Sequence, residues 1–154
     1  MFIYLDYSLM DHIIMDGVEL QTEGFNYIVS INRGGLVPAA CLAKQIDLPI
    51  LSLYYNGMGK GNYPNIDFYM NFEIHRNLLF SKILVVADIV DTGHTMKEVV
   101  EYLNNLYPNA EIKTYCCVVK NHSIFQPDYV TVDSLNLEEA YNPEYFDIFP
   151  WETD

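Results

Sequence analysis

Asp88, Asp91, Thr92, Gly93, His94 and Thr95 lie in one short stretch, behind the apolar run Ile83-Leu84-Val85-Val86-Ala87. The run is rich in β-branched residues and reads as a strand buried on both faces. The Thr-Gly-His-Thr turn brings two hydroxyls, a glycine and free backbone N–H groups to a helix N-terminus, which suits an anion such as a phosphate. Asp88 and Asp91 at its mouth can meet a metal ion or sugar hydroxyls. The ordinary alternative is a helix cap made by Thr92 or Thr95.

Three further features carry chemistry. Asn32-Arg33-Gly34-Gly35 follows the β-rich run Tyr27–Ile31, where two glycines expose N–H groups and Arg33 can fork onto an oxyanion. A plain β–α turn has the same composition. Lys120 ends an apolar segment, as a binding lysine or as a surface side chain with a buried stem. Asp147 stands in the aromatic tail Phe146-Asp147-Ile148-Phe149-Pro150-Trp151-Glu152, which could equally dock on the core. The histidines His12, His75, His94 and His122 have no metal-ligand spacing, and only His94 falls inside a motif.

The elements that must position these residues follow from periodicity. Helices are expected over 8–23, with Gly24 as a stop, over Pro38–Gln45, and over Met96–Leu106, where Met96, Val99, Val100, Leu103 and Leu106 share a face. Strands are expected at Tyr27–Ile31, Pro49–Tyr55, Lys82–Asp88, Ile112–Val119 and Tyr129–Val132. Asn56–Asn65 reads as a loop, and Ile66–Phe72 as an antiparallel strand or hairpin arm. Alternating strands and helices give an α/β fold with a doubly wound, mostly parallel sheet. Ligands of such sheets bind outside the carboxyl ends of the strands. The Arg33 loop, the Asp88–Thr95 turn and Lys120 all fall at those ends.

Composition bounds the function. The 154 residues, 51% apolar, suit a single domain with a full core. Eight Lys and Arg against 21 Asp and Glu, a net charge of −13, leave no basic stripe for nucleic acid. A phosphate ligand must then rely on local N–H groups, a few placed cations and a divalent metal. No apolar run is long enough for a membrane span, and 1–6 lack a signal-peptide pattern. Cys41, Cys116 and Cys117 sit in apolar segments, as buried thiols in a reducing cytosol would.

Ala87-Asp88-Ile89-Val90-Asp91-Thr92-Gly93-His94-Thr95 resembles the 5-phosphoribosyl pyrophosphate (PRPP) motif of type I phosphoribosyltransferases. Asn32-Arg33-Gly34-Gly35-Leu36-Val37-Pro38 resembles the pyrophosphate loop of that family. Lys120, Pro127-Asp128-Tyr129-Val130 and the aromatic tail are most similar to the bacterial xanthine–guanine and hypoxanthine members. The resemblance implies one domain over 1–154, with a small hood from the mid-chain segment near 55–80 and the C-terminal segment 133–154. It implies transfer of the phosphoribosyl group to guanine, xanthine or hypoxanthine, with Mg²⁺, in a cytoplasmic homodimer or homotetramer. Asp91, Thr92, Gly93, His94 and Thr95 would surround the 5′-phosphate, and Arg33, Gly34 and Lys60 the pyrophosphate. The peptide bond before Arg33 would be cis or strained. Asp88 would serve the ribose hydroxyls or the metal, and Asp91 would assist deprotonation near purine N7. Lys120 would donate to the 6-oxo group, Phe146 would stack on the base, and the backbone around Asp147 would read its opposite edge.

The chain departs from that pattern in three places. Ala87 stands where the family has Asp or Glu, which removes a ribose contact worth ~1.5–3 kcal/mol. His94 replaces a small residue in the phosphate loop and is tolerable only if its ring points outward. The hood carries Lys60 and, on its far side, Arg76, instead of a basic run. A second reading therefore stands beside the enzyme: a nucleotide- or PRPP-binding regulatory or sequestering protein on the same fold.

Overall fold

The computed structural model of the chain describes residues 1–58, 64–68, 81–134 and 137–152. In chain order the strands are β1 (Phe2–Tyr4), β2 (Tyr27–Ile31), β3 (Ile50–Met58), β4 (Pro64–Phe68), β5 (Lys82–Val90), β6 (Glu111–Val119), β7 (Tyr129–Val130) and β8 (Phe146–Ile148). The helices are α1 (Ser8–Leu20), α2 (Leu36–Ile46) and α3 (His94–Leu106). Six strands form one sheet in the order β4-β3-β2-β5-β6-β7. Among the described residues only the β3–β4 pairing is antiparallel.

β5 is the centre of this sheet, and its nearly unbroken apolar sequence reflects burial on both faces. Leu84 and Val86 pack with Leu9 and Ile13 of α1 and Leu42 of α2. Ile83, Val85 and Ala87 pack with Met96, Val99 and Leu103 of α3. The sheet is thus doubly wound, as expected. β5 holds Ile83 beside Ile112 and Val90 beside Val119 of β6, so the carboxyl ends of these two strands emerge together.

Several boundaries differ from the periodicity reading. β3 runs on to Met58, past the expected loop start at Asn56, because pairing with β4 continues across an irregularity between Asn56 and Met58. The antiparallel strand expected at Ile66–Phe72 is β4 as far as Phe68, and 69–72 lie outside the described residues. β7 stops at Val130, where Thr131–Ser134 coils into a 3-10 turn and the Thr131 hydroxyl meets the Tyr115 hydroxyl. Helix α1 ends at Leu20 rather than at Glu23, ahead of Gly24 with φ +78°.

β1 has no counterpart in the periodicity reading. It pairs in parallel with β8, Phe2 beside Phe146 and Tyr4 beside Ile148, and Leu5 N–H donates to Ile148 O at 2.8 Å. The C-terminal segment therefore takes its strand partner from the N-terminus, forming a two-stranded sheet apart from the main one. Cys116 and Cys117 are buried, while Cys41 is only half-buried. Among the described residues no helix is long and apolar enough to cross a membrane.

Candidate active site

The turn after β5 is built to leave amides free. Helix α3 starts at His94 from Gly93, whose φ of +90° lies in the left-handed region, and no side chain caps it. Thr92 Oγ1 accepts from the His94 N–H only at 3.5 Å and lies 3.0 Å from His94 Nδ1, so the expected Thr92 cap is at most a long one. The first-turn N–H groups of a helix have no intrahelical acceptor, so this end is open to an anion. Beside it is a cavity of about 200 Å³ lined by Ala87, Asp91, Thr92, Gly93 and Thr95, among others. His94 is exposed and is not among the residues that line that cavity.

The β6–β7 connection holds this turn from behind. Lys120 N–H donates to Val90 O at 2.9 Å and Ile124 N–H to Thr92 O at 2.8 Å. A Cβ on Gly93 would come within 2.5 Å of Ser123 Oγ and 2.7 Å of the Phe125 nitrogen, so both backbone angle and space demand glycine. The same connection brings His122 Nε2 to 3.1 Å from Asp91 Oδ1. Sequence reasoning gave His122 no role. The only signal was topological, since adjacency of β5 and β6 puts the residues after their ends side by side.

The Arg33 loop meets this turn through Asp88. A Cβ on Gly34 would stand 2.2 Å from Asp88 Oδ2, so the bare backbone lets the loop lie on that carboxylate. Of the cis or strained bond expected before Arg33, the cis alternative is corrected, since the described residues contain no cis peptide. The unusual backbone is instead at Asn32, with φ +50°, a conformation asparagine tolerates better than most residues. Its Oδ1 accepts from Tyr55 N–H at 2.7 Å, and its N–H donates to Leu53 O at 2.8 Å, which ties the loop to β3. Arg33 and Gly34 line a cavity of about 370 Å³ with Asn32, Tyr54, Tyr55 and Asn56. Lys60 and Arg76 lie outside the described residues.

Asp88 accepts from Ile89 N–H at 2.8 Å. Burial pushes its carboxyl above the usual carboxylate range, and the negative charge of Glu152 pushes it in the same direction. Glu152 thus returns from the tail to the neighbourhood of the Asp88 carboxylate, a link not legible in the sequence. Among the described residues no three His, Cys, Asp or Glu gather into a metal cage. One carboxylate beside bound phosphate oxygens is nonetheless the usual surrounding of Mg²⁺, which keeps most of its waters, and Asp88 fits that pattern.

Lys120 and Asp147 meet in the interior. Lys120 Nζ is 2.5 Å from Asp147 Oδ2 and donates to Ala140 O at 2.9 Å, with side-chain exposures of 3% and 0% for the pair. Burial raises the Asp147 carboxyl, against the opposing effect of the Lys120 ammonium. Of the residues expected around one base, Lys120 and Asp147 meet directly, while Phe146 faces outward from the same strand. Alternation along β8 turns Asp147 inward and Phe146 outward. The Phe146 side chain is exposed and its ring lies 6.0 Å from the Phe2 ring, centroid to centroid.

The family model described as "Phosphoribosyl transferase domain" matches residues 11–152. The chain belongs to the phosphoribosyltransferase family. Over 140 residues the chain is 28% identical to the xanthine-guanine phosphoribosyltransferase of Desulfotalea psychrophila, covering 88% of this chain and 75% of that protein. It is 27% identical over 100 residues to the protein of the same name from Idiomarina loihiensis, spanning 62% of this chain and 57% of that relative's length. The purine phosphoribosyltransferase of Pyrococcus horikoshii superposes with a TM-score of 0.76 at 27% identity, covering 99% of this chain and 95% of that one. The fold is accordingly that of the type I phosphoribosyltransferases. A further cavity of about 320 Å³ lies between α1 and the β6–β7 edge. Its lining includes Asp16, Glu19, Glu23 and Asp128, which make it hostile to an anion.

Proposed function

We propose that this phosphoribosyltransferase moves the 5-phosphoribosyl group of PRPP to a 6-oxopurine, giving a purine nucleoside monophosphate and pyrophosphate. The observation that carries this reading is the glycine-entered N-terminus of α3, beside a cavity lined by Asp91, Thr92, Gly93 and Thr95. The amides and hydroxyls of Thr92–Thr95 would take the 5′-phosphate. Arg33 and the backbone at Gly34 would take the pyrophosphate, one strand away across Asp88. Asp88 would hold a magnesium ion, which would supply the charge neutralisation that eight basic residues cannot.

In the transfer, the bond from the anomeric carbon to the pyrophosphate oxygen breaks and a bond to a purine ring nitrogen forms. The proton leaving the base passes to the Asp91 carboxylate, and the electron pair of the broken bond leaves with pyrophosphate. His122, whose Nε2 lies 3.1 Å from Asp91 Oδ1, would hold that carboxylate in place.

One observation favours a second reading, a non-catalytic nucleotide- or PRPP-binding protein. Ala87 presents a methyl group to the phosphate cavity where the family pattern has an acid. Pyrophosphate release separates the two, measured with PRPP, Mg²⁺ and guanine, xanthine, hypoxanthine, adenine, uracil or orotate in turn. Release confined to the 6-oxopurines is the expected result. Nucleotide binding without release from any base establishes the second reading instead. In Ala87→Asp the first reading expects tighter PRPP binding by about one to two orders of magnitude, the worth of one charged hydrogen bond.

A further inference from the structure

We propose that Tyr55 is a positioning residue of the PRPP site. Through Glu98 it ties the Arg33 loop to the phosphate turn, so that the two anion subsites keep one spacing. The inference rests on the reading above, in which the turn takes the 5′-phosphate and the loop the pyrophosphate, and deepens it.

PRPP carries its 5′-phosphate and its pyrophosphate on opposite ends of one ribose, so it meets both subsites at a fixed separation. Each subsite is anchored to a different neighbour. The Arg33 loop is held by β3, through Asn32 N–H to Leu53 O at 2.8 Å and Tyr55 N–H to Asn32 Oδ1 at 2.7 Å. The phosphate turn is held by the β6–β7 connection, which donates to Val90 O and Thr92 O. The pairing of β2 with β5 runs only to Ser30 beside Val86, short of both subsites.

Tyr55 bridges them. Its hydroxyl donates to Glu98 Oε2 of α3 at 2.5 Å. The Thr95 side chain hydrogen-bonds the same phenol. Thr95 and Glu98, three apart, are neighbours on one helix face, so the link reaches the phosphate turn itself. Tyr55 lines the Arg33 cavity, and Thr95 lines the cavity beside the head of α3. Tyr55 and Glu98 are both half-buried, and a hydrogen bond to a sheltered carboxylate is stronger than one between neutral groups. The side chain of Tyr55 thus fixes α3 while its backbone fixes the loop. Breaking the link leaves each subsite able to hold its own anion but loosens their separation, so a ligand that spans both loses most.

The test compares dissociation constants, by calorimetry with Mg²⁺, for PRPP, ribose 5-phosphate and pyrophosphate. Tyr55→Phe removes the hydroxyl and keeps the ring and the backbone bond to Asn32. Glu98→Ala removes the other end of the link. In each, PRPP binding should weaken by about tenfold, the scale of one hydrogen bond to a charged group, while the two smaller ligands change by less than about twofold. The double variant should bind PRPP no more weakly than either single variant, because both cut the same link. Glu98→Gln, which loses the charge but keeps an acceptor, should recover most of the loss seen in Glu98→Ala. PRPP affinity unmoved in the single variants, equal weakening of all three ligands, or additive losses in the double variant overturns the proposal and leaves the transferase reading standing. The expected pattern in a protein that releases no pyrophosphate from any base supports the Tyr55 role while rejecting transfer. No binding of PRPP or ribose 5-phosphate by wild type rejects both.

Discussion

At Gly34 and Gly93 the space a side chain would fill belongs to a neighbour. Gly34→Ala would force Asp88 or the Arg33 loop to move, since its Cβ would lie 2.2 Å from Asp88 Oδ2. Misplacement of about 1 Å at a reacting centre can lower turnover ~100-fold, and steady-state kinetics with varied PRPP should show a fall of that order. Gly93→Ala carries backbone strain as well, worth about 1–3 kcal/mol, which equilibrium denaturation should register. His122 differs from both. Its pair with Asp91 has side-chain exposures of 40% and 62%, and exposed pairs contribute ~0–1 kcal/mol to stability. His122→Ala should fold as wild type does, yet lower kcat by about tenfold with KM for PRPP unchanged, a modest share of what acid–base groups contribute. An unchanged kcat would remove His122 from the account. The hydroxyl–glycine turn was legible because it is local in sequence. The partners His122 and Glu152 were not, because they arrive through space from other elements.

At the scale of elements, the sheet followed from its hydrophobic pattern, and β5 and α3 held closely to their expected spans because both are anchored by continuous burial. β1 was not legible, since three residues carry no period and their partner strand is at the far end of the chain. The same strand pairing turns the Phe146 side chain outward and that of Asp147 inward, since strand alternation separates neighbours that a motif read as a string keeps together. The tail is tied down by the Lys120–Asp147 pair. Removing one member of a buried pair is worth ~3–5 kcal/mol, because the other charge is left without a partner. Lys120→Met should therefore lower stability by about that amount in urea unfolding, and Lys120→Met/Asp147→Val should restore most of it. Equal stability of Lys120→Met and wild type would show that the pair does not hold the tail.

At the scale of the whole molecule, an excess of 13 negative charges places the burden of anion binding on a few oriented groups at the carboxyl edge of the sheet. The acidic cavity near α1 has a different consequence. Burial is the main cause that raises the Asp16 carboxyl, with a hydrogen bond from Tyr115 at 2.6 Å opposing it. The folded protein takes up this proton at higher pH than the unfolded chain does, so stability falls as pH rises through the folded-state value. Asp16→Asn keeps an acceptor for Tyr115 and loses the charge. Its Tm should exceed that of wild type at neutral pH, and the difference should shrink as pH falls towards the ordinary aspartate value of 3.8. A constant difference across that range would rule out the charge as its cause.

The central claim is that the turn after β5 holds a sugar phosphate through its own backbone. It is tested most directly by titrating the labelled protein with ribose 5-phosphate and following backbone amides by NMR. The account expects saturable shifts that are largest at Asp91–Thr95 and are lost in Gly93→Ala. Saturable binding whose largest shifts fall elsewhere, or no binding at millimolar ligand, would contradict it.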